Sequence, residues 1–358
     1  MKRIGILGAN GQVASEVAIY LSQFDDIEVV CFLRNKYSVI LFEKIGIKYC
    51  IIDYYKADLF KNEIYSCDVV CDFAYPSGRL EDIYSKSKIY QDNIMRHMQN
   101  KGIYIYMSSI MAYGMADEEE PLKEYRMARG SYAVTKRKIE KSVKKNGHKY
   151  GLQCYNFRLG QVHGFLQSVT NYYREIFDGN DIVYKKSMNL PTSVVFTSTI
   201  GDAIKSIIEN KNQLPFKTYT IVLNPQWTMN DVVNYYSEKY KVLPKINCVD
   251  DDLKNTPSIN IFKSLLTKYL LKSRKSIEPL LLRIIPSLFP LLKSNYRIRV
   301  IKQQIREKIS DTSVNLMQMT GEVPSSHLLP MKSETNQIMQ KQLWIEKRIL
   351  SVLNFHEK

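Results

Sequence analysis

A chain of 358 residues with 45% hydrophobic content can bury one large core or two ordinary ones, which excludes a disordered chain. Its net charge of +15 is uneven, since residues 253–310 hold 13 Lys/Arg against only Glu278 and Glu307. Six cysteines (Cys31, Cys50, Cys67, Cys71, Cys154, Cys248) stand singly or in apolar runs, with no CxxC pair and no histidine at metal-ligand spacing, so reduced thiols are expected and a metal centre is not.

The chain opens with an apolar run, Ile4–Leu7, that reads as a buried strand. It feeds Gly8-Ala-Asn10-Gly11-Gln12-Val13-Ala14 and then the helical pattern of Ser15–Gln23. A glycine turn between strand and helix lets backbone N–H groups approach a pyrophosphate, and the positive end of the helix dipole favours the anion. Glycines and polar residues interrupt the stretch after Lys2-Arg3, so no secretory leader is expected. Nor does any stretch reach the roughly 20 apolar residues that span a bilayer.

Ile27–Leu33 has the composition of a second strand and ends at Arg34. In a dinucleotide fold this end lies beside the adenosine ribose, where an acid would accept from a free 2′-hydroxyl and an arginine accommodates a 2′-phosphate. Arg34 therefore favours NADP over NAD. Ile47–Ile52 reads as a third strand, followed by Asp53 and Tyr54, and Asp68–Ala74 as a fourth. A helix spans about Leu80–Gln99, and Ile103–Met107 makes a fifth strand ending at Ser108-Ser109. Strands alternating with helices predict a parallel sheet with helices on both faces and its ligand edge at the strand C-termini. Gly8, Arg34, Asp53, Ala74 and Ser109 would share that edge.

Residues 117–121 (DEEEP) read as a solvated acidic turn rather than a metal site. The next helix opens with Ser131-Tyr132-Ala-Val-Thr-Lys136. Residues four apart share a helical face, so Tyr132 and Lys136 can point into one site. Hydride transfer at a secondary carbon must be matched by proton transfer at its oxygen, and a free tyrosine, with pKa near 10, is a poor base at neutral pH. A neighbouring ammonium and a positive nicotinamide would favour tyrosinate, with Ser109 hydrogen-bonding the same substrate oxygen.

With these elements in order, the chain resembles the extended short-chain dehydrogenase/reductase family, which contains nucleotide-sugar epimerases and dehydratases. The matching pieces are Gly8-xx-Gly11-xx-Ala14, Asp53, Phe73-Ala74, Asn93, Ser108-Ser109-Ile-Met-Ala-Tyr113-Gly114, Tyr132-xxx-Lys136, Asn156–Gly164 and Phe196–Ile204. The resemblance covers roughly residues 1–245. It implies a Rossmann-like doubly wound parallel sheet (residues 1–165, with 195–210 returning to it), a smaller C-terminal α/β substrate lobe (166–250) and a basic helical extension with a C-terminal helix (251–358).

By that resemblance Ser109, Tyr132 and Lys136 are the catalytic triad. Gly8, Asn10, Gly11, Gln12, Val13, Arg34, Asp53, Tyr54, Ala74, Leu159 and Gly160, together with Tyr132 and Lys136, line NADP or NAD. Ser109, Met111, Gln161 and His163 face the substrate, His163 being a lining or core residue rather than a catalytic acid. The implied reaction is epimerisation or keto-reduction of a nucleotide sugar. Ile110-Met111 stand where the dehydratase branch places Asp-Glu, so elimination is disfavoured. The alternatives are a non-catalytic NADP-binding redox sensor and a membrane-peripheral dehydrogenase of a sterol or lipid-linked alcohol.

In the C-terminal third, Thr228 caps a helix running to Tyr240, and Ser333–Leu353 forms a final helix whose loosely spaced apolar residues suit packing back onto the protein. Residues 255–310 read either as an added helical subdomain or dimer contact, or as a basic face on an anionic membrane. Nucleic-acid binding is not expected, because no aromatic-interleaved basic stripe occurs. The expected location is cytoplasmic, with or without peripheral membrane contact, and the sequence leaves the oligomeric state open, a homodimer included.

Overall fold

The computed structural model describes residues 1–34, 39–76, 80–112, 131–167, 169–170, 182–185, 191–210, 213–215, 217–242, 246–249, 323 and 325–353. The acidic turn at 117–121, Tyr113-Gly114 and the basic 255–310 segment lie outside these residues.

Seven strands form one all-parallel sheet: β1 (Lys2–Leu7), β2 (Ile27–Leu33), β3 (Lys48–Ile51), β4 (Val69–Asp72), β5 (Ile103–Ser109), β6 (Gln153–Leu159) and β10 (Thr218–Ile221). Their order is β10-β6-β5-β4-β1-β2-β3. The chain runs outward from β1 through β2 to β3, then returns to β4 on the other side of β1. The topological switch therefore lies between β1 and β4, which is where such sheets open a ligand crevice. Two further parallel pairs, β7 (Gln161–His163) with β9 (Val194–Phe196) and β8 (Ile182–Lys185) with β11 (Ile246–Val249), stand outside the main sheet.

Strand periodicity divides the core into two layers. Ile4, Ile6, Val29, Cys31 and Leu33 pack on one face with helices α1 (Gln12–Leu21), α6 (Thr197–Glu209) and α8 (Thr335–Leu353). Val30, Phe32, Val70, Tyr104 and Tyr106 pack on the other with α4 (Leu80–Met95) and α5 (Ser131–Tyr150). Because the central strands are covered on both faces, β2 and most of β1, β4 and β5 read as apolar runs, whereas β6 and β10 carry buried polar residues such as Asn156, Arg158 and Thr220. β3 departs from this, with Ile51 41% exposed, since it is an edge strand. Between β3 and β4 the chain forms a 3-10 stretch, Tyr54–Phe60, and short α3 (Lys61–Tyr65), while α2 (Ile40–Ile45) precedes β3.

α7 (Met229–Tyr240) starts in a full capping box, with Thr228 and Asp231 bonding each other's backbone amides. The final helix α8 docks on the first layer. Ile345 and Ile349 are fully buried there, Gln342 donates to the Ser198 hydroxyl at 2.8 Å, Lys341 pairs with Asp202 at 2.8 Å, and Arg348 donates to the Ile45 carbonyl.

Candidate active site

The turn after β1 is shaped by Gly8, whose φ of +68° an L side chain rarely adopts. A Cβ there would also stand 2.9 Å from Ala74 Cα. The backbones leaving β1 and β4 thus meet at Gly8 and Ala74, across the topological switch. The Gly8 N–H donates to the Tyr54 hydroxyl at 2.6 Å, which in turn donates to the Phe32 carbonyl at 3.0 Å. Gly11 closes the turn by donating to the Gly8 carbonyl at 2.8 Å, and it N-caps α1 without a side-chain bond. The first-turn amides of Gln12 and Val13 have no acceptor within the helix and mark its positive end. Ala14 is fully buried, where only a small residue lets α1 sit close to the sheet.

Sequence reading put Tyr54 among the cofactor contacts. It is instead buried beneath the turn, bracing the glycine backbone from below. The Asp53 carboxylate accepts from Tyr55 N–H and starts the 3-10 stretch, while the side chain stays exposed at the ligand edge. Arg34 is exposed at the end of β2, close enough for its charge to act on the Tyr54 and Tyr55 phenols.

One strand over, β5 ends in Ser108 and Ser109. Ser108 points into the protein and donates to Glu140 at 2.5 Å, and Arg158 clamps that carboxylate with bonds of 3.0 and 2.8 Å. Ser109 points the other way, along the pleat, and its Oγ accepts from Met111 N–H at 3.2 Å. Tyr132 and Lys136 enter from the first turns of α5. The Tyr132 phenol lies near enough to the Ser109 hydroxyl for that group to pull its pKa down, and its side of the site is open, with the residue 38% exposed.

Lys136 is buried and donates to the Met107 carbonyl at 2.9 Å. Its ammonium lies 4.9 Å from the ring centres of both Tyr75 and Tyr106 and 5.9 Å from that of Tyr132. Aromatic faces stabilise a cation in this range. Burial lowers the amine to about 8, against the pull of Asp72 and Glu140, which favour the charged form.

The Tyr132 phenol was expected to be lowered by its lysine. In the protein alone it is raised: burial outweighs the pull of the Ser109 hydroxyl, and the Lys136 ammonium is turned to Met107. Tyr75 links the two halves of the site. It follows Ala74, which packs on Gly8, and its ring lies 5.8 Å from that of Tyr132. The glycine turn and the Ser109/Tyr132/Lys136 cluster therefore share one edge.

Further along that edge, β6 ends at Leu159, and Gly160 and Gln161 lead into β7 with partly open surfaces. The expectation that His163 faces a substrate is corrected. It is fully buried, with Nδ1 2.7 Å from the Tyr236 hydroxyl and Phe196 and Tyr236 against its ring. Burial lowers its pKa to about 3, leaving a neutral core histidine. What separates His163 from Gln161 is the cover it receives from Phe196 on β9 and Tyr236 on α7.

Sequence reading missed Tyr75, Tyr106 and Asp72. The first two had no signal in a chain with 25 tyrosines. Asp72 did have one: a carboxylate closing an apolar strand, VVCD, must be given donors or a counter-ion. Among the described residues no group of His, Cys, Asp and Glu could hold a metal ion, and no helix is long and apolar enough to cross a membrane.

The model of the NAD dependent epimerase/dehydratase family matches residues 4–184. Solved structures share the fold at low identity. UDP-N-acetylglucosamine 4-epimerase from Bacillus cereus is 17% identical, with TM-score 0.54 over 70% of this chain and 86% of its own. UDP-glucuronic acid 4-epimerase from Bacillus cereus, solved in complex with NAD, is 14% identical, with TM-score 0.53 over 69% and 87%. dTDP-glucose 4,6-dehydratase from Bacillus anthracis, also in complex with NAD, is 16% identical, with TM-score 0.51 over 70% and 85%. No curated protein gives a significant sequence match.

Proposed function

The chain belongs to the NAD dependent epimerase/dehydratase family, and from that footing we propose that it is an NADP-preferring epimerase or ketoreductase acting on a nucleotide sugar. The observation that carries the reading is the convergence of Ser109, Tyr132 and Lys136 on the edge where Gly8 meets Ala74. The turn fits a dinucleotide: a Cβ at Gly8 would fill it, and the uncapped start of α1 offers amides to a pyrophosphate.

Gly8, Asn10, Gly11, Gln12 and Val13 would hold the diphosphate, Arg34 a 2′-phosphate, and Asp53, Ala74, Leu159 and Gly160 the remaining edge. When bound, the dinucleotide supplies the hydride exchange and, oxidised, a positive charge beside the phenol. Tyr132 moves the proton at the substrate's hydroxyl oxygen, and Ser109 orients that oxygen by hydrogen bonding. Lys136, released from Met107, stabilises the phenolate and can reach ribose hydroxyls. Met111 and Gln161, on the same edge, would contact the sugar nucleotide, with residues 166–250 forming the lobe around it.

Wild-type protein should bind NADP+ more tightly than NAD+, with Arg34→Ala losing about tenfold or more of the NADP+ affinity. Calorimetry with the two dinucleotides measures this. Tyr132→Phe should keep that binding yet lose about 10²–10⁴-fold in turnover on whichever UDP- or TDP-sugar a panel identifies. Unchanged turnover sinks the assigned proton path. Tight NADP+ binding by the wild type with no turnover on any alcohol or ketone would favour the sensor reading instead.

A further inference from the structure

Asp72 closes β4 in the middle of the sheet and is fully buried. It accepts from Ala74 N–H at 3.0 Å, Gln91 Nε2 at 2.9 Å, Tyr104 Oη at 2.6 Å and Tyr90 Oη at 2.9 Å. Burial pushes the Asp72 carboxyl above its ordinary range, and these donors pull it back toward the carboxylate, the backbone amide and the side-chain amide being able only to donate. Among the described residues no cation lies within ion-pairing distance of it. A buried carboxylate held only by neutral donors is costly unless a positive charge lies nearby.

Lys136 is the complementary case. Its ammonium is buried, bonds one carbonyl and makes no ion pair among the described residues. Glu140 on α5 feels that charge but already spends its own on the Arg158 clamp. The ammonium sits on the ring of Tyr106, and Tyr106 is the residue in register with Asp72 on the adjoining strand. The two isolated buried charges thus have opposite signs and neighbouring positions.

We propose that Asp72 is a positioning residue of this site, whose single carboxylate both ties Ala74 against the Gly8 turn and keeps Lys136 charged from within the sheet. Its first role is mechanical: the bond to Ala74 N–H fixes the backbone that Gly8 packs against. Its second is electrostatic and concerns the balance around Lys136. The groups facing that balance are Tyr54 from the 3-10 stretch, Cys71 on β4, Tyr75 after it, Tyr90 on α4, Tyr104 and Tyr106 on β5, and Tyr132 and Glu140 on α5. Burial holds the thiol and the four buried phenols up, so they stay neutral near pH 7 and leave Asp72 as the carboxylate without a cation of its own.

The inference rests on the functional reading for the purpose of Lys136, but its test does not. In the full-length protein without added dinucleotide, the Lys136 Nζ resonance is followed by 15N NMR from pH 6 to 10 and assigned by its loss in Lys136→Arg. Asp72→Asn should move its titration to lower pH, whereas Tyr104→Phe, which keeps the carboxylate, should move it less. A titration in Asp72→Asn that coincides with the wild type overturns the proposal. Should that variant fail to fold, the 13C carboxyl shift of Asp72 in the wild type decides: ionised from pH 6 upward supports the inference and protonated at pH 7 overturns it. With NADP+ as probe, the affinity lost in Asp72→Asn should grow as pH rises from 6.5 to 8.5, while a loss constant across that range would leave only the mechanical role and overturn the electrostatic one. If the wild type binds neither dinucleotide, the functional reading falls and the titration still reports on Asp72.

Discussion

Gly164 lies so close to Glu16 that a Cβ on the glycine would stand 2.4 Å from the carboxylate Oε2. Glu16 is a fully buried carboxyl on α1, and it accepts from Phe165 N–H, Leu166 N–H, Gln167 Nε2 and Thr197 Oγ1. One side chain thereby joins the helix behind the glycine turn, the loop after β7 and the start of α6.

Gly164→Ala should destabilise the protein by about 1–3 kcal/mol, because the neighbour it meets is held by four hydrogen bonds and cannot yield freely. Glu16→Gln keeps the shape but turns an amide group toward backbone donors, and it should cost a comparable amount. Urea unfolding of each variant checks this, and a Gly164→Ala midpoint equal to the wild type would contradict the fixed position of Glu16.

Tyr54→Phe removes a hydroxyl that serves two backbone groups, Gly8 N–H and the Phe32 carbonyl. Both sit where water cannot easily replace it, so about 1–3 kcal/mol of stability should go. Dinucleotide affinity should also fall, although the phenol lies beneath the turn rather than on the ligand side. Equal stability and equal NADP+ affinity in calorimetry would show that the turn holds its shape unaided.

Lys136→Met should be inactive yet more stable than the wild type at neutral pH, by on the order of 1–3 kcal/mol. Burial lowers the folded amine from 10.5 to about 8, so between these values the unfolded chain binds the extra proton. Wild-type stability therefore gains from this group as pH rises through that window, and the cost of burying the charge is fully present below it. The advantage of Lys136→Met over the wild type should accordingly shrink from pH 8 and vanish above about 10.5. Denaturant midpoints for the pair across pH 7 to 11 measure it, and an advantage that grows with pH would reverse the sign.

Much of the sheet was legible in the sequence because two-sided burial makes strands such as Ile27–Leu33 continuous apolar runs with clear ends. Gly8, Ser109, Tyr132 and Lys136 were legible for a related reason: the turn and the helical spacing are local. Asp72 with Tyr90 and Tyr104, or Glu16 with Phe165 and Thr197, are pairings between residues far apart in the chain, and nothing local announces them. His163 shows the converse. A lining residue and a core residue look alike in the sequence, and only the packing of Phe196 and of Tyr236 on α7 against its ring makes it core.

The docking of α8 on the first layer bears on how the protein is made. Every residue assigned to the glycine turn and to the Ser109/Tyr132/Lys136 cluster precedes residue 137, but Ile345 and Ile349 complete the apolar layer behind them. At ribosomal rates these arrive roughly ten seconds or more after Lys136. In that interval the faces of α1 and α6 that α8 will cover stay exposed to other chains. A fragment ending before Thr335 would carry the whole Ser109/Tyr132/Lys136 cluster and still be prone to aggregate, so the last helix acts as the closing step of folding for residues on the far edge of the sheet.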